Sequence, residues 1–442
     1  VTTATGAALR RIQTGNALSA FGNGFTVPFM FIYVAQVRTL GAGTAGTVLA
    51  LFAVAALAVL PFTGRVIDRR GPLPVAVAGT VLASAGSLGI AFSEGVAAMY
   101  VSAAVFGAGL SVIQPALATM IVWSSTTATR SRAFATQFFL NNLGLGVGGL
   151  LGGLVVDTER PSSFLLLFGI ESAMYLVLGA TVATVRLPGG PRVECSPHVG
   201  EDSGGDGAAA GADEAGGGWR ELLSDRAMVT LSALGFVMFF ACYGQFESGL
   251  SAYAVEASRI SPVTLGIALA ANTAVIVLAQ FVVLRVVERR RRSRVIALVG
   301  LIWTVAWLAA GASGLVADRH ALAVAAIIST YALFGLGEAM LSPTVAPLVA
   351  DLAPARMVGR YNSAFALVKQ LALAIGPAVG GPMGATAHGP YIVMLVLCSL
   401  GVTVLALLLG RRLTAEQDNP LRASLVVAAS VPVRSAESVR AG

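Results

Sequence analysis

The sequence predicts an all-α membrane protein with twelve transmembrane helices in two pseudo-symmetric six-helix bundles. Three observations lead there: a charge content too low for a water-soluble surface, twelve apolar runs of membrane-crossing length, and an internal repeat relating the first six runs to the last six. Of the 442 residues, 56% are hydrophobic, only 12% are charged, and the mean hydropathy is +0.80. Soluble domains carry about 25% charged residues, and half that amount cannot cover a body of this size. The net charge of +7 sits in short gaps between apolar runs, which reads as a topology signal and not as a nucleic-acid surface.

Other classes fall on residue types. Cys195, Cys242 and Cys398 are isolated, so neither a disulfide framework nor a CxxC metal site is present, and His198, His320 and His388 stand alone in polar gaps. No clustered catalytic groups, no phosphate-loop lysine and no metal-ligand spacing occur. Neither an enzyme nor a cofactor or metal site is expected.

A hydrocarbon core about 30 Å thick needs about 20 apolar residues per helix. The first run, 12–37, follows Arg10 and Arg11 and is too long for a signal-peptide core, so it reads as a retained first span. Further runs fall at 44–66, 73–92, 95–123, 134–156 and 163–185, and after a break at 226–254, 263–286, 295–316, 321–349, 361–385 and 390–410. The implied organisation is an amino-terminal bundle over 1–185, a linker over 186–225, a carboxy-terminal bundle over 226–412 and a tail over 413–442. The linker is rich in Gly and Ala with Glu201, Asp202, Asp206, Asp213 and Glu214, a composition that cannot bury enough apolar surface to fold alone, and a flexible tether is expected. Of the 29 Lys and Arg residues, only Arg38, Arg160, Arg259 and Arg319 fall in gaps of the second side, and Lys369 lies within a span. The positive-inside rule then places both termini in the cytoplasm. Richness in Ala and Arg beside a single Lys points to a high-GC bacterial genome, hence a bacterial plasma membrane.

The two halves are related by sequence. Arg65-Val-Ile-Asp68-Arg69-Arg70 recurs as Arg285-Val-Val-Glu288-Arg289-Arg290, 220 residues on, and Gly24 and Tyr33 meet Gly244 and Tyr253 at the same separation. Later the separation becomes 228: Gly107, Gly109 and Pro115 meet Gly335, Gly337 and Pro343, and Gly148 to Gly153 meets Gly376 to Gly381. This is duplication of a six-helix unit in parallel orientation.

Ionisable groups inside hydrocarbon cost about 2.5–3.5 kcal/mol each on insertion scales and default to functional candidates. They are Glu171 in span 6, Glu247 in span 7, Glu338 in span 10 and Lys369 in span 11. Uncharged polar residues within spans are Asn16, Asn23, Gln114, Gln137, Asn141 and Asn142 in the first half and Tyr243, Gln245 and Asn272 in the second; Asn141 is the repeat counterpart of Lys369. The glycines of spans 5 and 11 permit close helix approach.

The segment Gly64-Arg-Val-Ile-Asp68-Arg69-Arg70-Gly71 resembles the signature loop of the major facilitator superfamily, Gly-x-x-x-Asp-Arg-x-Gly and two basic residues, departing at its end, where Pro72 and Leu73 replace the basic pair. The drug–proton antiporters of that superfamily carry Gly-Pro-x-x-Gly-Gly on span 5. Here span 5 has Gly148-Gly149-Leu-Leu-Gly152-Gly153, without the proline, and span 11 has the complete form with Gly376, Pro377 and Gly380. The family's span-4 arginine is replaced by Ala103.

The resemblance implies two bundles working by alternating access, with a monomer as the working unit. It implies that Gly64, Asp68, Arg69 and Gly71 form a gating loop whose carboxylate binds a helix end or arginine of the other bundle; a merely topogenic loop is the plainer alternative. It implies that Gly148, Gly152, Gly376, Pro377 and Gly380 pack helices and take part in rocking, across from spans of the opposite half. Spans 7, 10 and 11 line the cavity of the resembled fold, so Glu247, Glu338 and Lys369 become the proton-coupling candidates. A carboxyl group taken out of water favours its neutral form, the property a proton carrier needs. Glu247 is the expected carrier and Glu338 the partner of Lys369; a static ion pair beside one neutral Glu is the alternative. Asn23, Gln114, Gln137, Asn141, Tyr243, Gln245 and Asn272 are the substrate-cavity candidates, and Glu171 is expected to be structural. The expected function is proton-coupled export of a small drug-like molecule or secondary metabolite. Uptake or facilitated passage of a sugar or other small metabolite stays open, as does a receptor or scaffold that has lost transport.

Overall fold

The computed structural model describes residues 2–157, 160–187, 219–246 and 248–421. Most of the expected linker, Cys195 with it, Glu247 and the tail beyond 421 lie outside the described residues. Among the described residues, twelve helices are long and apolar enough to cross a membrane: Gly6–Val37, Gly43–Arg70, Pro72–Phe92, Val96–Trp123, Thr127–Val155, Pro161–Ala183, Arg226–Phe246, Thr264–Val287, Arg292–Leu315, His320–Leu352, Ala355–Thr386 and His388–Gly410. They are spans 1 to 12, in the order the sequence predicts. No strand occurs among the described residues.

Local chemistry sets the ends. Span 2 stops at Gly71, whose φ of +84° suits a residue without Cβ, and Pro72 then opens span 3, where its missing N–H costs nothing. Span 7 is capped by the Asp225 carboxylate, which accepts from the Ala227 and Met228 amides at 2.9 and 3.2 Å. Span 8 is capped by the Ser261 hydroxyl, which accepts from the Thr264 amide.

Spans 1 and 7 are interrupted at corresponding places. The regular helix of span 1 ends at Thr26, gives a tight turn over Val27–Phe29 around Pro28, and resumes in a widened turn over Tyr33–Val37. Span 7 runs regularly from Arg226 to Ala241, breaks at Cys242, makes one turn over Tyr243–Phe246 and continues as Gly249–Glu256. Carbonyls released by that break are taken by side chains: Gln245 Nε2 donates to Phe240 O at 3.0 Å, Trp307 Nε1 to Ala241 O at 3.0 Å, and the Tyr331 hydroxyl to Phe246 O at 3.1 Å. In hydrocarbon a carbonyl without a partner is expensive, so a break is tolerated only where the protein supplies donors. Span 10 likewise divides into His320–Leu341 and Val345–Leu352 around Pro343.

Buried apolar side chains gather in two clusters. The first joins Tyr33, Phe106, Phe164, Phe168 and Tyr175; the second joins Trp303, Trp307, Tyr331, Phe334 and Tyr391. The halves meet chiefly where span 11 lies on spans 2 and 4 and where span 5 lies on span 8. Outward faces carry exposed Leu, Val and Phe, among them Leu154, Leu278 and Leu315, as a lipid-facing surface requires.

Candidate functional site

The Gly64–Gly71 segment ends span 2 against the first turn of span 11, where Gly64 and Asp68 have a steric and an electrostatic reason. Asp68 accepts from the Gly359 amide at 2.7 Å and the Arg360 amide at 3.2 Å, with Arg360 Nε 3.5 Å away. The carboxylate thus caps a helix from the other half, where unpaired amides and the helix dipole favour an anion. A Cβ on Gly64 would lie 2.6 Å from the Arg360 Cα, and one on Gly359 would lie 2.7 Å from the Asp68 carboxylate. The contact needs both glycines. Arg69 is exposed at the helix end.

The repeat reproduces this contact in weaker form. Glu288 is the counterpart of Asp68, and Arg132 the counterpart of Arg360; Arg132 Nη2 lies 3.5 Å from Glu288 Oε1, with 69% of the arginine side chain exposed. Beside it stands a stronger cluster that sequence reasoning missed. Arg130 of span 5 and Arg292 of span 9 both bind Asp351, Arg292 at 2.6 Å, and Arg292 also donates to Ser131 Oγ at 3.4 Å. The Ser342 hydroxyl donates to Phe134 O at 3.2 Å. These ties between the halves cluster at the arginine-rich face, so the molecule is held together at that face.

Of the proton-coupling candidates, Glu338 is buried in the second half. Its Oε1 accepts from Asn272 Nδ2 at 2.9 Å, and Tyr243 also hydrogen-bonds its carboxyl. Lys369 is exposed, with Nζ 5.3 Å from the centre of the Phe239 ring. It is close enough to act electrostatically on Glu338, but the expected direct ion pair is not formed: the carboxyl is held by neutral donors and the ammonium by a ring. Glu171 is buried between spans 1, 3 and 6, accepting from the Thr26 and Ser87 hydroxyls, both at 2.6 Å.

The cavity candidates separate. Gln114 is exposed, and Gln137, Asn141 and Tyr243 are half-buried. Gln137 Oε1 has no hydrogen-bond partner, and Asn141 accepts from Asn16 at 3.1 Å. Three others are engaged by neighbouring groups of the protein. Gln245 is fully buried, donating to Phe240 O and accepting from the Tyr391 hydroxyl at 3.1 Å, so it repairs the break in span 7 and does not face the cavity. Asn23 is turned to span 6, where it accepts from the Tyr175 hydroxyl at 2.7 Å. Asn272 is spent on Glu338 and on Tyr331 O.

The glycine clusters also differ from expectation in their partners. Gly148 and Gly152 close on Phe21 and Phe25 of span 1, and Gly376 and Gly380 close on Gly244 and Gln245 of span 7. Each cluster packs within its own half and not across it, with Pro377 inside the continuous helix of span 11.

The sequence profile of the Major Facilitator Superfamily matches residues 14–377, and again 253–439. The chain belongs to the Major Facilitator Superfamily. Members of this superfamily are transporters and not enzymes; they sit in a lipid bilayer and bind small molecules, often with proton coupling. One similar protein is "Multidrug resistance protein 2" of Bacillus subtilis (strain 168), 29% identical over 150 residues. That stretch is 32% of this chain and only 36% of the relative. Among solved structures, the human organic anion transporter MFSD10 (TETRAN) superposes with a TM-score of 0.65 at 16% identity, covering 93% of this chain and 99% of that one. FucP, a Major Facilitator Superfamily transporter in the outward conformation, superposes with a TM-score of 0.67 at 15% identity, covering 92% and 99%. These likenesses establish the fold, with twelve spans in two pseudo-symmetric six-helix bundles.

Proposed function

We propose that this transporter exports a small, drug-like molecule by alternating access, driven by protons that bind and leave Glu338. The observation that carries the reading is Glu338 itself: a carboxyl buried within a span, hydrogen-bonded by Asn272 and Tyr243, with the exposed ammonium of Lys369 near it. A proton on Glu338 changes the field at Lys369 and Tyr243, which couples protonation to the occupancy of the space they border. The name of the Bacillus relative, a multidrug resistance protein, supports a drug-like cargo. In this reading the arginine-rich face is cytoplasmic, both termini lie there, and the membrane is a bacterial plasma membrane. The bundles over 1–185 and 226–412 rock about their seams, tethered by 186–225, and a monomer suffices. Asp68 on the first turn of span 11 is the latch that closes the cytoplasmic face.

Lys369 favours a second reading. An exposed ammonium without an ion-pair partner among the described residues suits a small anionic metabolite as cargo. Purified full chain in proteoliposomes separates the two. A panel of lipophilic amines and small organic anions is followed with and without an imposed pH gradient, for the parent and for Glu338→Gln. Gradient-driven accumulation of an amine that is lost in Glu338→Gln, while downhill exchange persists, is the expected result. Full gradient-driven transport by Glu338→Gln would overturn coupling through this residue.

A further inference from the structure

The arginines between spans 8 and 9 exceed what the repeat needs for its latch. The first copy carries Gly71 and Pro74 where the second carries Arg291 and Arg294. In the structure Arg289, Arg290, Arg291 and Arg294 line a cavity of about 570 Å³ at the membrane end of the two helices. Its size falls within the range of about 300–1,000 Å³ typical of small-molecule sites. Of the neighbouring acids, one pairs with Arg291 of the lining and the other faces away. Asp418 is buried, accepts from the Ser293 amide at 2.8 Å and lies 4.0 Å from Arg291, while Glu288 faces Arg132. Among the described residues, no acid pairs with Arg289, Arg290 or Arg294.

The wall beside these arginines is apolar and open to the outside. Val286 is 57% exposed and Leu298 48% exposed, on the last turn of span 8 and the second turn of span 9. Cationic groups at the end of a span, continuous with exposed aliphatic side chains on the same flank, match a molecule with an anionic head and a hydrocarbon body. The apolar wall belongs to the lipid-facing surface of the spans; the cavity is what a topology signal alone does not require.

We propose that this cavity binds the phosphate headgroup of an anionic membrane phospholipid, with its acyl chains along Val286 and Leu298. The arginine forks suit phosphate oxygens, and basic groups near the membrane surface attract anionic lipid. The site is independent of cargo and of transport direction.

The test uses the full-length protein in detergent, with bound lipid counted by native mass spectrometry. Dioleoylphosphatidylglycerol or dioleoylphosphatidylcholine is added to the parent, to the triple variant Arg289→Gln/Arg290→Gln/Arg294→Gln, and to Leu298→Glu, which keeps every arginine. The parent is expected to retain phosphatidylglycerol over phosphatidylcholine, with retention weakened about tenfold or more in the triple variant and also reduced in Leu298→Glu. Equal retention of the two lipids by the parent overturns the proposal, and so does parent-like retention by either folded variant. Inorganic phosphate in large excess provides the remaining arm. Displacement of phosphatidylglycerol by phosphate alone would mean a free-anion site and overturn the lipid assignment.

Discussion

Replacing Asp68 by Asn tests the latch with almost no change of shape. The carboxylate receives two amide hydrogen bonds, at 2.7 and 3.2 Å, and its side chain is only 7% exposed, so solvent screens it little. Hydrogen bonds to a charged group contribute about 1.5–3 kcal/mol net, and an anion at a helix start gains up to about 2 kcal/mol from the dipole. An amide keeps one acceptor oxygen, loses the charge, and turns its own N–H donors toward a second donor. The seam between spans 2 and 11 should therefore lose roughly 2–3 kcal/mol, which shifts the equilibrium between closed and open forms of this face by about 30- to 150-fold. Spin labels at Arg70 and Ala355, both exposed at this seam, would report the shift as a second, longer distance population. Flux in proteoliposomes should fall strongly while membrane insertion and abundance stay near those of the parent. An Asp68→Asn variant with the parent's distance distribution and the parent's flux would refute the latch.

Further outcomes follow from the same geometry. Asp351→Asn leaves Arg292, whose side chain is 4% exposed, and Arg130 without a full counter-charge, and should cost about 3–5 kcal/mol, read as a lower thermal midpoint in detergent. Gly380→Ala should destabilise by about 1–3 kcal/mol because its Cβ collides with the Gln245 side chain, whereas Gly381→Ala meets open space and should leave the midpoint unchanged. Cys195 should react with a membrane-impermeant thiol reagent only after cells are opened; labelling in intact cells would invert the proposed orientation.

The twelve spans were legible because their signal is one-dimensional: length and hydropathy suffice, and the run at 95–123 becomes the helix Val96–Trp123. The repeat was legible for the same reason. The repeat also carries the crosswise contact, since the separations that pair Asp68 with Glu288 and Arg132 with Arg360 imply that these residues meet across the halves. The side chains were harder. An amide in an apolar helix signals only that it needs a partner, and a rotation of less than one helical turn decides whether that partner is cargo or a neighbouring span. Gln245 and Asn23 show the difference, being engaged by Tyr391 and Tyr175. Arg130, Arg292 and Asp351 escaped notice because charges in membrane gaps read as topology, and only the folded chain places Asp351 between two arginines.

The divided span 7 alters what its aromatic neighbours are for. Trp307 and Tyr331 look like ordinary core residues, yet each supplies a proton donor to a main-chain oxygen that the broken helix has left over. A continuous helix resists bending through its own ladder, and bending it means breaking bonds in series. At this joint two of the bonds run sideways to neighbouring spans, so the angle of the second piece, Gly249–Glu256, rests on donors from those spans. Stiffness there is written into the surrounding spans as well as into Gln245 of span 7 itself. Trimming Trp307 or Tyr331 would then loosen the pivot of a helix that each follows by dozens of residues.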